Sequence, residues 1–391
     1  MRILQLTPRL PWPATDGGRV AMARLAQSLA RSGAEVEVLS LNPRKHHAAV
    51  PAAPVPLQAV DIDTSRVLVP VLRAMTDDAP PYIVGRFVSR EFRDVLRATL
   101  RRFRPDVVQI ESPFLLPYAA DVRAESRARI VLRSLNVEFR IWESLARNER
   151  NPLRRIAQRR IAASLRAYEV RHLDTPDAIV PISAADAEDF RLLGCTRPMH
   201  VAPCGVTLPD SSHHSPEPWR AGFIGSLDFR PNQEAVEWIV GELWPRVMER
   251  KPMARLSIGG SSPPAWMRRR ALGEGIEYHG SIDDAEAFLR RMSVVIAPLF
   301  AGGGMKIKVL EAMSLAKPVV ATTLGARGID VEHERNVVIA DDAASFADGV
   351  VRLLDKPGDA ARIGSAAQAN VAGRYDNDAI ARGLLEFYAS L

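Results

Sequence analysis

Short apolar runs alternate with amphipathic stretches along the whole chain. Near the N-terminus, Ile3, Leu4 and Leu6 predict a buried strand, and apolar positions then recur at helical spacing from Val20 to Ala30. Gly33 ends that predicted helix, and the next strand reads EVEVLSL. A strand, a helix and a second strand in this order are typical of a βαβ unit, whose parallel strands need a covering helix.

The same pattern begins again near residue 220. There the sequence predicts a strand in AGFIGS, a helix in QEAVEWIVGELWPRVMER and a further strand in ARLSIGG. More strands are predicted at Val107–Ile110, Ile130–Arg133, Ala178–Pro181, Ile276–Tyr278, Val294–Ala297, Pro318–Ala321 and Asn336–Ile339. The expected fold is therefore α/β, with two doubly wound, Rossmann-like domains that each have a crevice where the strand order reverses.

The length of the chain also favours two domains. Its 391 residues, 47% of them hydrophobic, exceed what one compact core usually holds. A stretch at 201–218 that is rich in proline, serine and histidine is the best linker candidate. The sequence thus predicts an N-terminal domain over 1–203 and a C-terminal domain over 204–375.

The charge and composition of the chain limit the kinds of partner that it is expected to bind. The net charge of +6 favours an anionic partner, but the arginines are spread throughout rather than gathered with aromatic residues, so we expect no nucleic acid. Two cysteines imply neither a disulfide framework nor a zinc site and fit a reducing cytoplasm. The eight histidines show no metal-ligand spacing, and the DID sequence at 61–63 lies in a segment predicted to be irregular. We expect no metal and no transmembrane span.

The most informative stretch is AGGGMKIKVLEAMSLAKPVV at 301–320. A strand before it and a helix from about Lys306 would leave the backbone N–H groups of a glycine loop pointing at a phosphate. Lys306 and Lys308 add two cations that suit a diphosphate, and Glu311 could accept hydrogen bonds from a ribose. The alternative is a tight turn followed by a surface pair between Lys308 and Glu311.

Two further features have both a functional and a structural interpretation. Gly17 and Gly18 also lie between a strand and a helix, where they would let a ligand approach the backbone or simply make an ordinary turn. The run at 150–171 is a basic helix with a predicted apolar side of Ile156, Ile161, Leu165 and Tyr168. It would either face solvent or make peripheral contact with an anionic membrane at the inner membrane face.

These stretches resemble the retaining, GT-B-fold glycosyltransferases of family 4, also called group 1 glycosyltransferases. The resemblance covers nearly the whole chain, through DGGRVAMARLAQSLARSG, FIGSLDFRPNQEAVEWI, IEYHGSIDD and the stretch from VVIAPLF to GARGI. Family proteins often read E-x7-E and then G-K-P-V-V, and here Gly303 takes the first acidic position while Glu311 takes the second. The glycine-rich loop with K-x-K resembles one subgroup of the family.

The resemblance implies an interdomain cleft, and a C-terminal helix at about 376–391 that joins the N-terminal, acceptor-binding domain. The C-terminal domain would bind a nucleotide-sugar donor, with Glu311 on the ribose, Gly259 and His279 near the base, and Gly17 and Gly18 facing the donor from the other domain. The residues expected to hold the diphosphate are Gly302, Gly303, Gly304, Met305, Lys306, Ile307 and Lys308.

Two departures from the family pattern matter. Ser226 and Asn232 stand where relatives usually have an Arg and a Lys, so the candidates for the phosphate charge are Arg230 and Lys308. Leu135 stands where relatives often have a histidine. Asn136 or Glu138 would then contact the sugar, or the activity is altered. Asn136, Glu138 and Lys308 are therefore the catalytic candidates.

The activity implied by the resemblance is sugar transfer to an acceptor hydroxyl with retention of configuration, in glycan, polysaccharide or glycoconjugate synthesis. The acceptor would be a glycan, a lipid-linked molecule or a small molecule, and neither a cofactor nor a metal is expected. The alternatives are a GT-B nucleotide-sugar epimerase and a non-catalytic nucleotide- or glycan-binding protein, which Leu135 favours.

Overall fold

The computed structural model describes residues 1–14, 16–44, 47, 49–64, 81–149, 151–208, 216–269, 272–302 and 304–391. These residues form two compact units. Unit 1 comprises Met1–Cys204 and Asn377–Leu391, and unit 2 comprises Gly205–Asp376. The division falls within 201–218, of which 209–215 lie outside the described residues.

The sheet of unit 1 is parallel throughout. Its described strands are β1 (Arg2–Thr7), β2 (Glu35–Pro43), β3 (Leu57–Ile62), β4 (Val107–Ile110), β5 (Arg129–Ser134) and β6 (Ala178–Pro181). They lie in the order β3-β2-β1-β4-β5-β6, with Leu4 of β1 opposite Glu37 of β2 and Val108 of β4. The order therefore reverses between β1 and β4, which is the switch point of a doubly wound sheet.

Helices cover both faces of this sheet. They are α1 (Gly17–Arg31), α2 (Tyr82–Gly85), α3 (Arg90–Phe103), α4 (Ala119–Glu125), α5 (Glu138–Asn148), α6 (Pro152–Arg171) and α7 (Ala184–Leu192). Alternate residues of β1 point to opposite faces, as the pleat requires. Leu4 belongs to the core on the α3 side with Phe92, and Ile3 belongs to the core on the α1 side with Leu29.

Unit 2 has the same doubly wound architecture as unit 1. Its described strands are β7 (Arg220–Ile224), β8 (Arg255–Gly259), β9 (Ile276–Tyr278), β10 (Val294–Ala297), β11 (Val319–Ala321) and β12 (Val338–Ile339). They are parallel in the order β12-β11-β10-β7-β8-β9, and this order reverses between β10 and β7. The helices are α8 (Arg230–Trp238), α9 (Trp244–Arg250), α10 (Ala265–Arg269), α11 (Ala285–Arg290), α12 (Ile307–Ser314), α13 (Ala343–Asp355) and α14 (Pro357–Arg374).

The C-terminal helix, α15 (Asn377–Ala389), belongs to unit 1. It packs against α1, where Arg31 pairs with Asp378 at 2.6 Å. Leu384 and Tyr388 of α15 are buried in the same core as Leu29.

The predicted fold class is confirmed, because both sheets are parallel and doubly wound. The single helix predicted over 233–250 is instead α8 and α9 joined by a π-helical turn, Ile239–Leu243. Pro245 follows that turn, and its ring would clash with a carbonyl in a regular α-helix. The wider turn avoids the clash.

One sequence interpretation was wrong. It placed the DID sequence in an irregular segment and missed β3, an edge strand in which only Val60 and Ile62 are buried and the apolar signal is therefore weak. The aspartates of DID thus lie in and just after a strand. Asp61 accepts a hydrogen bond from Asn42 at 2.8 Å, and Asp63 pairs with Arg44 at 3.6 Å. Ile156, on the predicted apolar side of the basic helix, is 50% exposed.

Candidate functional site

Unit 2 carries a candidate site where its strand order reverses, between β7 and β10. The chain leaves β7 through the turn 225–229 into α8, and it leaves β10 through the glycine loop, residues 298–306, into α12. Both connections start at the carboxyl ends of neighbouring parallel strands. That is where open α/β sheets bind ligands.

The glycine loop leads into the start of α12, which has no side-chain cap among the described residues. Gly302 and Gly304 have φ angles of 103° and 67°, which glycine adopts without strain. Gly303 lies outside the described residues. Met305 and Lys306 complete the loop, and no described side chain caps the first turn of α12. A helix start of this kind offers backbone N–H groups and the positive end of the helix dipole to an anion.

Lys308 reaches from α12 across the switch point to α8. Its ammonium donates a hydrogen bond to the side-chain oxygen of Asn232 at 2.8 Å and lies 4.7 Å from the centre of the Phe223 ring. Gly225 leaves room for this contact, because a Cβ there would lie 3.0 Å from Lys308 Nζ. Burial and the charge of Lys306 lower the pKa of Lys308 to about 7. A bound anion would therefore favour its charged form strongly.

Lys306 places a second ammonium at the same loop. Its Nζ lies 3.4 Å from the carbonyl oxygen of Gly302, and burial together with the charge of Arg327 lowers the pKa of Lys306 to about 8. Arg327 lies in the segment after β11 and lines a cavity of about 900 Å³. Thr323 and Asp341 line the same cavity and are hydrogen-bonded to each other at 2.7 and 2.8 Å. Three cationic side chains thus gather around the glycine loop.

Glu311 and Arg230, two other predicted donor-binding residues, differ in solvent exposure. Glu311 is partly buried, one turn beyond Lys308 along α12. Arg230 begins α8 with its side chain 61% exposed, and it pairs with Glu234 at 2.9 Å. The charge of Arg230 is therefore already compensated, and Lys308 is the cation that the fold brings to the switch point.

Gly259 and His279 lie at the ends of the neighbouring strands. The Gly259 carbonyl accepts the Gly225 N–H at 3.0 Å, which ties the end of β8 to the turn after β7. His279 follows β9, and its Nε2 lies 3.0 Å from the hydroxyl of Ser257. Its imidazole is thus directed back along β8.

In unit 1, the start of α1 is already capped. The Asp16 carboxylate accepts the Arg19 N–H at 3.1 Å and a hydrogen bond from the Arg9 guanidinium at 2.8 Å. Gly17 and Gly18 are the first residues of α1, and a Cβ on Gly18 would lie 2.7 Å from Arg9 Nη2. The side chain closest to Gly18 is therefore the Arg9 guanidinium, which is itself paired with Asp16. Arg9 was not among the site residues predicted from the sequence.

Glu138, the first residue of α5, is the other notable group of unit 1. Its half-buried carboxyl has no hydrogen-bond partner within the described part of the chain. Burial and the nearby Glu169 raise the pKa of Glu138 to about 8, although Arg9 opposes the shift. Glu169 is 5% exposed and accepts the backbone N–H groups of Glu138 and Phe139 at 3.1 and 3.0 Å. Burial also raises the pKa of Glu169 to about 7.

The turn between β5 and α5 holds the remaining catalytic candidate. Leu135 and Asn136 are partly exposed, and the Asn136 carbonyl accepts a hydrogen bond from the Ser134 hydroxyl at 2.6 Å. Since Val137 offers no side-chain cap, Glu169 of α6 fixes where this turn meets the helix.

Glu169→Ala should lower the free energy of unfolding by about 1–2 kcal/mol, because two amides at the start of α5 lose their acceptor. Thermal unfolding monitored by circular dichroism measures this change. Glu143→Ala on the same helix is the matched control, since its ion pair with Arg140 at 3.3 Å is solvent-exposed and worth less than about 1 kcal/mol. Equal losses in the two variants would contradict the capping role of Glu169.

A buried polar network also escaped the sequence analysis. Arg133 donates a hydrogen bond to Glu111 at 2.8 Å, and both residues are 1% exposed. Gln5 donates to the same carboxylate at 2.6 Å, and Tyr388 of α15 donates to Gln109 at 2.6 Å. The network links α15 to the strands at the switch point of unit 1. Its sequence signal was an arginine inside the apolar strand IVLRS.

The described residues show neither a cluster of metal ligands nor a helix that could span a membrane. They contain no group of three or more His, Cys, Asp or Glu side chains placed to hold a metal ion. They also contain no helix whose length and apolar character would let it cross a bilayer.

Two curated proteins are similar to parts of the chain. One is an "uncharacterized 44.6 kDa protein in cps region" of Klebsiella pneumoniae, 28% identical over 137 residues that cover 33% of this chain and 35% of that protein. The other is a phosphatidyl-myo-inositol mannosyltransferase of Mycobacterium leprae, 34% identical over 156 residues that cover 38% of this chain and 41% of that protein. The matched segments thus span less than half of either relative.

Solved structures match over the full length at low identity. Sucrose-phosphate synthase from Thermosynechococcus elongatus superposes with a TM-score of 0.73 at 17% identity, covering 100% of this chain and 99% of that one. Anabaena HepE in complex with UDP superposes with a TM-score of 0.69 at 16% identity, and its complex with UDP-glucose with 0.68 at 16%. Both HepE structures cover 100% of each chain.

Family models match both units. Residues 16–205 match the family described as "Glycosyl transferase 4-like domain", and residues 219–356 match "Glycosyl transferases group 1". Together with the two parallel sheets, these matches show that the chain belongs to the group 1 glycosyltransferase family and has the GT-B fold.

Proposed function

We propose that this protein transfers a sugar from a nucleoside-diphosphate sugar to an acceptor hydroxyl. The observation that carries the proposal is Lys308, whose partly buried ammonium lies at the switch point of unit 2 beside the start of α12, which no described side chain caps. A diphosphate would accept hydrogen bonds from the backbone N–H groups of the glycine loop and would form ion pairs with Lys308 and Lys306. Glu311 would hold the ribose.

The named relatives support a nucleotide sugar as donor and a glycan or glycoconjugate as product. HepE has been solved with UDP and with UDP-glucose, and the relative from Mycobacterium leprae is named a mannosyltransferase. The Klebsiella relative is named for a cps region. We infer a hexosyl donor and an acceptor that is a glycan, a lipid-linked molecule or a small molecule.

In the proposed reaction, the bond between the anomeric carbon and the β-phosphate oxygen breaks while the acceptor oxygen bonds to that carbon. The acceptor attacks from the face that the phosphate leaves, so configuration is retained, and the acceptor proton passes to the departing phosphate without a protein base. Negative charge grows on the β-phosphate during this step, and prearranged cations stabilise such charge strongly. Lys308 acts there, while Glu138 in unit 1 would hydrogen-bond to the acceptor.

Leu135 supports a second candidate, a protein that binds a nucleotide or a glycan without turnover. An apolar side chain at this position cannot hydrogen-bond to a sugar hydroxyl. The two candidates differ in whether any donor is consumed.

A donor screen separates them. We expect one nucleoside-diphosphate sugar to raise the melting temperature, and NMR of the mixture with acceptors to show a new glycosidic bond of unchanged anomeric configuration. Transfer should persist in EDTA, because Lys306 and Lys308 supply the positive charge that the diphosphate needs. Donor binding without turnover would leave the non-catalytic candidate, and a strict requirement for a divalent metal would contradict the proposed chemistry.

A further inference from the structure

The helix α6 has a second apolar face that the core does not use. Its inner face is fixed by Leu165 and Tyr168, which are 1% and 5% exposed, and the Tyr168 hydroxyl donates to the Pro113 carbonyl at 3.1 Å. Ile156 lies about 180° around the helix from this inner face, since each residue advances about 100°. It is 50% exposed, and Leu153, one turn earlier, is 77% exposed.

The outward stripe continues along the length of the helix. Ala163 and Ala167 are exposed at the same angular position, and Val170 on the last turn is 39% exposed. Helices of globular proteins usually bury a single apolar stripe and present polar residues opposite it. An apolar stripe on the outer face is therefore a candidate contact surface.

Arginines border this stripe on both sides. Arg159 and Arg160 flank Ile156 at about 60° and 40° around the helix. Arg154, Arg155 and Arg166 add to the charge, and the sequence from Pro152 to Tyr168 contains no acidic residue. Within the described chain, no ion pair joins Arg159 or Arg160 to a carboxylate.

The positive charge alone would suit any polyanion. The exposed aliphatic side chains, however, suit only a partner into whose apolar interior they can insert. An interfacial helix combines cations that bind anionic headgroups with aliphatic side chains that enter the acyl boundary. We propose that the outer face of α6, formed by Leu153, Ile156, Arg159 and Arg160, docks on a bilayer that contains anionic lipids.

Co-sedimentation with vesicles tests this docking without any substrate, so its outcome is separate from that of the proposed transfer. We expect binding to phosphatidylcholine vesicles that contain phosphatidylglycerol, weaker binding as salt is raised, and little binding to phosphatidylcholine alone. Replacing Arg159 and Arg160 by Gln should weaken binding about 30-fold, since each cation near an anionic surface contributes about 1 kcal/mol. Ile156→Ser should weaken it about tenfold.

Matched controls remove the same chemistry elsewhere. Arg246→Gln with Arg382→Gln takes two charges from other exposed helix positions, and Met253→Ser removes an apolar side chain that is 57% exposed in unit 2. We expect both controls to bind like the unchanged protein, with all melting temperatures preserved.

Three results would overturn the docking surface. They are equal binding to neutral and anionic vesicles, equal weakening by the control variants, and unweakened binding of the α6 variants. A fourth contrary result would be tight binding of a soluble acidic polysaccharide that depends on the arginines but not on Ile156, since that would assign the surface to a polyanion.

Discussion

Lys308→Met should lower kcat/KM for the donor by about 10²–10³-fold, the loss typical of removing one prearranged group from a developing oxyanion. Methionine preserves the length and apolar contact of the lysine stem but removes the ammonium that binds Asn232. Initial rates at varied donor concentration measure the loss. Because the ammonium acts most strongly on the departing phosphate, kcat should fall more than KM rises.

The lowered pKa of Lys308 makes donor binding depend on pH. In the unoccupied protein this pKa is about 7, so the ammonium loses its proton as pH rises above 7. A bound diphosphate favours the charged form and raises that pKa, so binding takes up protons and weakens with rising pH. Isothermal titration calorimetry in buffers of different ionisation enthalpy should show net proton uptake above pH 7. The uptake should shrink in Lys308→Met.

Lys317 supplies a matched control within the same unit. Lys317 is buried, burial and the charge of Arg290 lower its pKa to about 8, and its ammonium donates to the Arg290 carbonyl at 2.6 Å, away from the glycine loop. Lys317→Met should destabilise the fold without changing the donor affinity or proton uptake of the folded fraction. If the two variants lose donor affinity equally, Lys308 has no special role in donor binding.

The strands and helices of this fold that have a periodic apolar pattern could be predicted from the sequence. Apolar runs predicted every described strand except β3, and the stretch at 301–320 predicted a helix from about Lys306, where α12 begins at Ile307. These signals are local, because a strand or helix must present one apolar face to the core.

Features that depend on tertiary packing could not be predicted. Lys308 and Asn232 are 76 residues apart, and only the strand order of unit 2 brings their helices together. Glu169 looked like an ordinary polar residue of a basic helix, but packing of α6 against α5 turns it into a helix cap. Ile156 fitted a helical apolar pattern, yet periodicity alone does not say which of two apolar faces the core will cover.

Glu138→Ala should lower kcat for transfer by about 10²-fold, whereas Glu138→Gln should retain activity within about tenfold at pH 7. The reason is the protonation of Glu138. Its raised pKa of about 8 leaves the carboxyl mostly protonated at pH 7, so it acts as an O–H donor that a glutamine amide can replace. Glu169 from α6 and Arg9 from the loop after β1 are the charged groups that set this pKa. Neither Glu138 variant should change donor affinity, because the residues proposed to bind the diphosphate and the ribose lie in unit 2.

The pH dependence of the transfer rate shows which protonation state of Glu138 is active. As pH rises through 8, Glu138 loses its proton and can no longer donate a hydrogen bond, so the rate of the unchanged protein should fall there after correction for donor saturation. Glu138→Gln cannot titrate and should lack this fall, while Glu143→Gln on the same helix should keep it. A rate that instead rises through pH 8 and is abolished in Glu138→Gln would show that the carboxylate is needed, and Glu138 would then be a general base. Full activity of Glu138→Ala would remove this residue from the acceptor site altogether.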